Sequence, residues 1–197
     1  SGSNALSGLY KGLDLPGSNA LTPEEMAPVF DMAKKLAEAH GYKDPNEAYT
    51  AGLVHDCCKE LPQDEQLAMV KKSRRNVCEA ELKTPALYHA VAGAYYAETV
   101  FGFTSEDFLN SIRYHTTGRA EMSELEEIVY MADLVSVERS FKDVERFRKL
   151  AFADIKKSIL EAVKHSISEV MEKGSLIPTQ TLEAYNYYTE ICKKTEE

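Results

Sequence analysis

Largely apolar, helix-like stretches fill the chain from residue 22 onward, and each is set off by a helix-start signal or a glycine. An N-cap residue followed by proline, or by an acid three positions later, marks the start of a helix. Such signals occur at Thr22-Pro23, Asp44-Pro45, Thr84-Pro85 and Ser123-Glu124, and glycines at positions 41, 102, 118 and 174 mark helix ends.

These signals predict helices near residues 23–40, 45–60, 63–72, 85–100, 105–116, 123–139, 143–172 and 180–194, with a break allowed in the region 143–172. Alternating runs of β-branched residues, which are typical of strands, are nearly absent. The predicted fold class is therefore all-α, a helical bundle.

Length and charge narrow the classes of protein. A chain of 197 residues with 44% hydrophobic composition is long enough for one sizeable core and matches the usual ~100–200 residues of one domain. The net charge of −9 is spread over helical faces of mixed sign, and residues 71–75 form the only basic block. We therefore expect no nucleic-acid partner.

The first twenty residues differ from the rest, because the segment Gly2–Leu6 recurs as Gly17–Leu21 in a stretch rich in glycine and serine. Part of this stretch resembles sequence added during cloning. Residues 1–20 are therefore set apart as a leader, and residues 21–197 are predicted to form a single domain.

Cysteine usage and hydropathy bear on the compartment. The four cysteines form no Cys-x-x-Cys pair, and the vicinal Cys57 and Cys58 would make a poor disulfide inside a helix. No apolar run approaches the ~18 residues that span a bilayer. These features predict a cytoplasmic protein without membrane partners. A homodimer is compatible with the sequence, because an apolar helix face can serve a core or a dimer interface.

The most informative residues are His55 and Asp56, which are adjacent within the apolar stretch Ala51–Lys59. Two neighbouring metal-ligand side chains in such a stretch are costly unless something pairs with them or coordinates them. Similar settings recur at His89, His115, Thr116 and Asp133. The ordered set predicts a metal site inside the helical bundle.

Each of these residues could also have a purely structural role. Asp56 could pair with Lys59 on a helix surface, and Asp133 could hydrogen-bond to a tyrosine or to the backbone of another helix. His89 could be a satisfied core histidine, and His115 could interact with the dipole at a helix C-terminus. No role in the site is assigned to His40 or His165.

Imidazoles and carboxylates without thiolates favour a borderline to hard metal such as iron, manganese, cobalt or zinc. Three histidines and two aspartates could hold two ions, with one carboxylate bridging them. Two ions about 3.5–4 Å apart can position and deprotonate a water molecule while neutralising phosphate oxygens. The site therefore predicts hydrolysis of a phosphate ester or anhydride in a small-molecule substrate.

These motifs resemble those of the HD-domain metal-dependent phosphohydrolases, and in detail those of the bacterial YqeK branch. The resemblance covers roughly residues 22–190, and its segments are 51–61, 89–93, 115–118, 128–133 and 181–187. It implies a helical HD fold, a di-iron-type centre and a nucleotide substrate. The implied reaction is symmetrical hydrolysis of diadenosine tetraphosphate to two ADP.

The resemblance also implies roles for individual residues. The implied metal ligands are His55, Asp56, His89, His115 and Asp133, with Asp56 as the bridge. Lys59 and Arg139 stand where family members have basic residues near the phosphates, and with Asp56 they form the implied catalytic set. The implied substrate contacts are Lys59, Thr116, Arg139 and Asn186.

The chain departs from the family pattern at Glu25, where the family has a further histidine on the helix before the His-Asp pair. Glu25 could bind a metal through oxygen, or it could complete a capping box with Thr22. A capping role would remove one ligand from the ion expected near His55. Three hypotheses follow: a metal-dependent nucleotide hydrolase, a nucleotide-binding pseudoenzyme with an impaired metal site, and a helical interaction protein.

Overall fold

The computed structural model consists of helices joined by turns and loops, with no strand among the residues that it describes. These are residues 23–136, 139–141 and 143–196, with the backbone alone for residues 23–28 and 196. The predicted all-α fold class is confirmed. The predicted leader, residues 1–20, lies outside the described residues.

The bounds of the helices follow the predicted pattern over most of the described chain. The helices are α1 (Pro23–Ala39), α2 (Pro45–Val54), α3 (Gln63–Lys72), α4 (Glu79–Leu82), α5 (Tyr88–Thr99), α6 (Glu106–Arg113), α7 (Glu124–Val135), α8 (Val144–Ala153), α9 (Ile155–Glu172) and α10 (Thr179–Glu196). A 3₁₀ turn at Pro85–Leu87 precedes α5. The short α4 was not predicted.

Capping side chains explain several of these starts. Asp44 Oδ1 accepts hydrogen bonds from the backbone N–H groups of Asn46 and Glu47, each at 3.1 Å. Asp154 ends α8 and accepts from the N–H of Lys157 at 3.0 Å, which starts α9. The break that the pattern allowed in the region 143–172 is therefore real, since one aspartate separates two helices.

The predicted helix 45–60 is too long, because α2 ends at Val54 and His55 and Asp56 lie in the turns that follow. In a continuing α-helix the carbonyl of Gly52 would accept from the N–H of Asp56. Instead it accepts from the Nδ1–H of His55 at 2.6 Å. The backbone then tightens, and the N–H of Cys57 donates to the carbonyl of Val54 at 3.1 Å.

Two glycines let helices approach the segment that carries His55. A Cβ atom on Gly52 would lie 2.9 Å from the Cα of Phe30, so α1 and α2 can pack this closely only with glycine there. A Cβ atom on Gly93 would lie 3.4 Å from the carbonyl oxygen of His55, where α5 crosses. The turn after α2 is thus held between α1 and α5.

Helix α7 runs through the core and is buried along most of its length. It packs against α1, α2, α6, α8 and α9. Its last turn carries Asp133, which is therefore fixed from several sides. Within the described residues, no helix combines the length and apolarity needed to cross a bilayer.

Candidate metal centre

Five side chains from four separate parts of the fold meet at one point in the core. They are His55 and Asp56 after α2, His89 on α5, His115 in the turn after α6, and Asp133 on α7. Their possible ligand atoms form two groups of three, in each of which all atoms lie within 4.8 Å of one another. One group contains His55, His115 and Asp133, and the other contains Asp56, His89 and His115.

Asp56 lies between the three imidazoles. Its Oδ2 is 3.3 Å from the Nε2 of His55, while its Oδ1 is 3.3 Å from the Nε2 atoms of both His89 and His115. The Oδ1 of Asp133 lies 3.8 Å from the Nε2 of His55. The two oxygens of Asp56 therefore face different imidazoles, while His115 is the residue that the two groups share.

All three imidazoles are held in the same way, through the other ring nitrogen. The Nδ1 atoms of His55, His89 and His115 lie 2.6, 2.9 and 2.7 Å from the carbonyl oxygens of Gly52, Ala86 and Ile112. A carbonyl oxygen only accepts, so each Nδ1 carries a proton, and the Nε2 of a neutral ring is then an acceptor. Such outer hydrogen bonds fix both the tautomer and the orientation of metal-binding histidines.

The sequence explains why these carbonyls are available. Each of them belongs to the residue three positions before its histidine, at the end of α2, in the 3₁₀ turn and at the end of α6. Carbonyls at helix ends lack partners within the helix. The free carbonyl groups at these helix ends therefore orient the three imidazole rings.

Several inner atoms of the cluster have no donor of their own within the described residues. The Nε2 atoms of His89 and His115 lie 3.3 Å apart, although both are acceptors in the neutral rings. His55 Nε2 and Asp56 Oδ1 are buried without a hydrogen-bond partner. Buried acceptors that face one another are costly, and a cation between them removes that cost. The residues present therefore fit a divalent metal.

Electrostatics inside the cluster agree with this description. Burial lowers the pKa of His89 to about 4, with a further lowering by His115, so its Nε2 is unprotonated at neutral pH. Burial alone would also lower the pKa of His55, but the carboxylates of Asp56 and Asp133 outweigh it and raise the pKa to about 10. Burial opposes ionisation of Asp56, yet the imidazoles hold its pKa well below the usual range. The raised pKa of His55 and the lowered pKa of Asp56 show that the two side chains stabilise each other's charged forms.

Two cationic side chains stand at the rim. Lys59 Nζ lies 2.6 Å from Asp56 Oδ2, and Arg139 Nη2 lies 2.6 Å from Asp133 Oδ1. Both side chains are 43% exposed, so their outer faces can reach a substrate. The predicted pairing of Asp56 with Lys59 is thus present together with the cluster rather than instead of it.

The loop that carries Arg139 is tied down by Arg148 on α8, a contact that sequence reasoning missed. The guanidinium of Arg148 donates to the carbonyls of Val135, Ser136 and Arg139 at 2.9, 2.6 and 2.8 Å. Two of these carbonyls lie at the end of α7 and one belongs to Arg139 itself. No spacing in the sequence links Arg148 to them, because the contacts span a loop.

Three predicted residues lie at the edge of the site or outside the described part. Thr116 is half-buried in the turn next to His115, and Asn186 is exposed on α10. No hydrogen bond or ion pair of the described residues joins either side chain to the five clustered side chains. The backbone of Glu25 belongs to α1, and its side chain lies outside the described part, as does Thr22.

Comparison with known proteins identifies the class. A family model for the HD domain matches residues 26–138. The symmetrical bis(5′-nucleosyl)-tetraphosphatase of Bacillus subtilis is 33% identical over 81% of this chain and 84% of its own length. The protein of the same name from Halalkalibacterium halodurans is 33% identical over 80% of this chain and 83% of its own length.

A solved structure agrees with these matches. The crystal structure of a predicted HD superfamily hydrolase involved in NAD metabolism, from Clostridium acetobutylicum, is 34% identical with a TM-score of 0.82. The match covers 96% of this chain and 97% of that chain. This chain therefore belongs to the HD domain family of hydrolases. Within that family it belongs with the relatives named as symmetrical bis(5′-nucleosyl)-tetraphosphatases.

Proposed function

We propose that the protein hydrolyses dinucleoside polyphosphates and cleaves diadenosine tetraphosphate symmetrically into two molecules of ADP. One water molecule adds across the central P–O–P anhydride, so that each half leaves with two phosphates. The names of the relatives support this substrate. The observation that carries the proposal is the pair of buried atoms without a hydrogen-bond partner, His55 Nε2 and Asp56 Oδ1, in a cluster that can hold a metal ion.

The proposed metal ligands are His55, Asp56, His89, His115 and Asp133. These residues would hold one or two ions, with Asp56 as the central ligand, because its two oxygens lie 3.3 Å from different imidazoles. Iron is the proposed metal, since imidazole and carboxylate donors without thiolate suit it, as they suit manganese, cobalt and zinc. When bound, such ions supply positive charge for phosphoryl oxygens and acidify a water molecule.

The protein side chains have separate tasks in this proposal. Lys59 and Arg139 would bind the oxygens of the departing ADP, since both pair with carboxylates of the cluster and extend outward from it. A cation aimed at the leaving group stabilises charge that grows in the transition state. Thr116 and Asn186 are proposed as further substrate contacts, with Thr116 adjacent to His115.

Turnover distinguishes the proposed function from a role in binding alone. A binding protein with this pocket would take up nucleotide without turnover, and an interaction protein would bind neither metal nor nucleotide. Relatives that match about four fifths of the chain are named as hydrolases, which favours turnover. No feature of the described residues favours either alternative.

The deciding experiment is elemental analysis of protein purified without added metal or chelator, followed by a diadenosine tetraphosphate assay on the same sample. We expect about two transition-metal ions per chain, as a two-metal site requires, and ADP as the sole nucleotide product. ATP and AMP as products would contradict symmetrical cleavage. Absence of metal together with absence of turnover after metal is added back would overturn the proposal.

A further inference from the structure

Arg148 lies on the face of α8 that packs into the core. Val144 and Phe147 precede it by four positions and one position, Ala151 follows it by three, and all three are buried. This spacing places Arg148 on the same face of the helix as these apolar residues. The side chain of Arg148 is accordingly only 18% exposed. A guanidinium on such a face is costly unless its N–H groups find acceptors.

The acceptors are backbone carbonyls of the segment that leads out of α7. Arg148 Nε donates to the carbonyl of Val135 at 2.9 Å, and its Nη2 donates to the carbonyls of Ser136 and Arg139 at 2.6 and 2.8 Å. The first two carbonyls stand at the C-terminal end of α7, where carbonyls lack partners within the helix. The third belongs to a residue outside any helix. One planar guanidinium thus joins the end of a core helix to the loop that carries Arg139.

A second contact holds the same loop two residues further on. The ring of Phe141 stacks on that of His165 on α9, with the centroids 5.1 Å apart and the planes at 19°. The centroid of the Phe147 ring lies 5.6 Å from that of Phe141, with the planes at 66°. Phe141 is half-buried, whereas Arg139 and Ser140 are exposed. The loop is therefore held at two points, through the carbonyl of Arg139 and through the ring of Phe141.

The Arg139 side chain depends on a fixed backbone to stay at the metal centre. Its Nη2 lies 2.6 Å from Asp133 Oδ1, and its Nε donates to the carbonyl of Asp133 at 3.1 Å. The side chain is 43% exposed, and an exposed ion pair contributes little because holding a long side chain in one geometry costs entropy. A backbone that is already ordered lowers this cost. Asp133 Oδ1 also lies 3.8 Å from His55 Nε2, so the guanidinium is held beside the centre itself.

We propose that Arg148 is a positioning residue for phosphate recognition at the metal centre. By holding the carbonyl of Arg139, it keeps the Arg139 guanidinium against Asp133, where a phosphate oxygen of the substrate can accept from it. Arg148 itself touches no substrate atom, and its effect passes through the backbone of Arg139. This role rests on the proposed function, because Arg139 acts on a phosphate only if the centre binds one.

Hydrogen exchange of the protein as purified tests the positioning step without substrate. The N–H of Arg139 donates to the carbonyl of Ser136 at 3.1 Å, and Arg148 holds the same segment. In Arg148→Ala this amide should exchange at least about tenfold faster than in the wild type, the scale of one lost charge-assisted hydrogen bond. Mass spectrometry with fragmentation to single residues measures the rate.

Arg146→Ala is the matched control, because Arg146 lies on α8 two positions before Arg148 and pairs with Glu161 at 3.2 Å instead. Its side chain is 62% exposed. This control should leave the exchange of the Arg139 amide unchanged. Equal exchange of that amide in Arg148→Ala and in the wild type would overturn the inference.

A double-mutant cycle in turnover tests the functional step. Arg139→Ala should lower kcat/KM for diadenosine tetraphosphate by about tenfold, and Arg148→Ala by about three- to tenfold. In the Arg139→Ala background, Arg148→Ala should cause no further loss, because the group that it positions is gone. Losses that multiply would make Arg148 a stabilising residue only and would overturn the inference. Kinetics are run well below the Tm of every variant, so that an unfolded fraction adds nothing to the loss.

Arg148→Lys separates position from charge and keeps the test decisive if Arg148→Ala does not fold. Lysine retains the positive charge and a long apolar stem, but it has a single nitrogen in place of the planar fork. Its kcat/KM should fall by about three- to tenfold, and a wild-type value would show that charge alone suffices and would overturn the inference. A metal-loaded wild type that fails to turn over would contradict the proposed function instead. The exchange rates of Arg139 would still decide whether Arg148 holds the loop.

Discussion

Two groups of buried polar side chains share helix α7, and they differ in whether the protein itself satisfies them. Asp133, in the last turn, belongs to the metal cluster, where His55 Nε2 and Asp56 Oδ1 have no partner. Glu127, two turns earlier, has both of its carboxylate oxygens bound. The same helix therefore carries one cluster completed by the chain and one that needs a ligand from outside.

The Glu127 cluster is closed by two donors from other helices. Tyr188 Oη donates to Glu127 Oε1 at 2.7 Å, and Lys156 Nζ lies 2.9 and 3.1 Å from the two oxygens. Burial raises the pKa of Tyr188, and Glu127 raises it further, so the phenol keeps its proton at any ordinary pH. Every strong donor has an acceptor there, which is the usual condition of a structural polar cluster.

The comparison teaches that burial alone does not identify a functional cluster. Each group contains a carboxylate of helix α7, and in each group that carboxylate has ionisable partners from other parts of the chain. Only the metal cluster has acceptors that face acceptors, as in the 3.3 Å separation of the His89 and His115 Nε2 atoms. That excess of lone pairs indicates a cation, and its absence around Glu127 indicates a role in stability.

The largest expected effect comes from removing a member of the metal cluster. His55→Ala and Asp56→Ala should each lower kcat for diadenosine tetraphosphate by at least about 100-fold, the scale of losing preorganised electrostatic stabilisation. Glu127→Gln, at the other cluster, should leave kcat of the folded protein near the wild-type value. Steady-state kinetics with elemental analysis of each variant provides the measurement. Near-normal turnover by either cluster variant would refute the ligand assignment.

Added metal should stabilise the protein only when the metal cluster is intact, whether or not the Glu127 cluster is. At a free metal concentration about 100 times Kd, binding to the native state adds about 2.7 kcal/mol to the free energy of unfolding. For a chain of this length that corresponds to a rise in Tm of about 5–10 °C. Differential scanning calorimetry should show this rise in wild type and in Glu127→Gln, and no rise in Asp56→Ala. An equal rise in Asp56→Ala would place the stabilising ion elsewhere.

A substitution in the Glu127 cluster should lower the stability of the protein and leave its activity intact. Glu127→Gln weakens the pairing with Lys156 and the bond from Tyr188 at a site that is 3% exposed. Lys156 is 51% exposed and can be hydrated when its partner is lost, so we expect a cost of about 1–3 kcal/mol in the free energy of unfolding. Urea unfolding of metal-free protein measures it. Glu124→Gln, an exposed change in the first turn of the same helix, should cost less than Glu127→Gln.

The two clusters also differ in how far the sequence predicted them. The sequence singled out the five residues that cluster, because histidines and aspartates are uncommon in apolar helical stretches unless they bind a ligand or a buried partner. Their role as metal ligands stays a prediction. The sequence did not predict the partners of Glu127, since Tyr188 lies 61 positions away and a tyrosine or a lysine on an amphipathic helix is ordinary. A common residue type carries little information until the helices are packed.

Within the metal cluster, residue types were predictable and local geometry was not. The prediction kept His55 and Asp56 inside a helix, whereas the ring of His55 takes the carbonyl of Gly52 and ends it. Hydrophobic periodicity is insensitive to this competition, because it averages over several turns. The contact of Arg139 with Asp133 depends on a loop and on Arg148, which periodicity does not describe.

The smallest expected effect concerns the cations at the rim of the metal cluster. They resemble the Glu127 cluster in forming ion pairs, and they resemble a functional site in being partly exposed. Lys59 pairs with Asp56 at 2.6 Å as a structural ion pair would, yet 43% of its side chain is exposed. If its task is to stabilise the departing phosphate, Lys59→Ala should lower kcat by about tenfold while metal content and Tm stay close to wild type.

Lys83→Ala is the matched control for Lys59→Ala, because Lys83 also pairs with a carboxylate, that of Glu79, on an exposed surface. This control should leave both kcat and metal content unchanged. A Lys59→Ala protein that loses metal in proportion to its activity would make Lys59 a support for Asp56 rather than a contact of the substrate. Retained metal with a reduced kcat would assign the Lys59 side chain to the reaction.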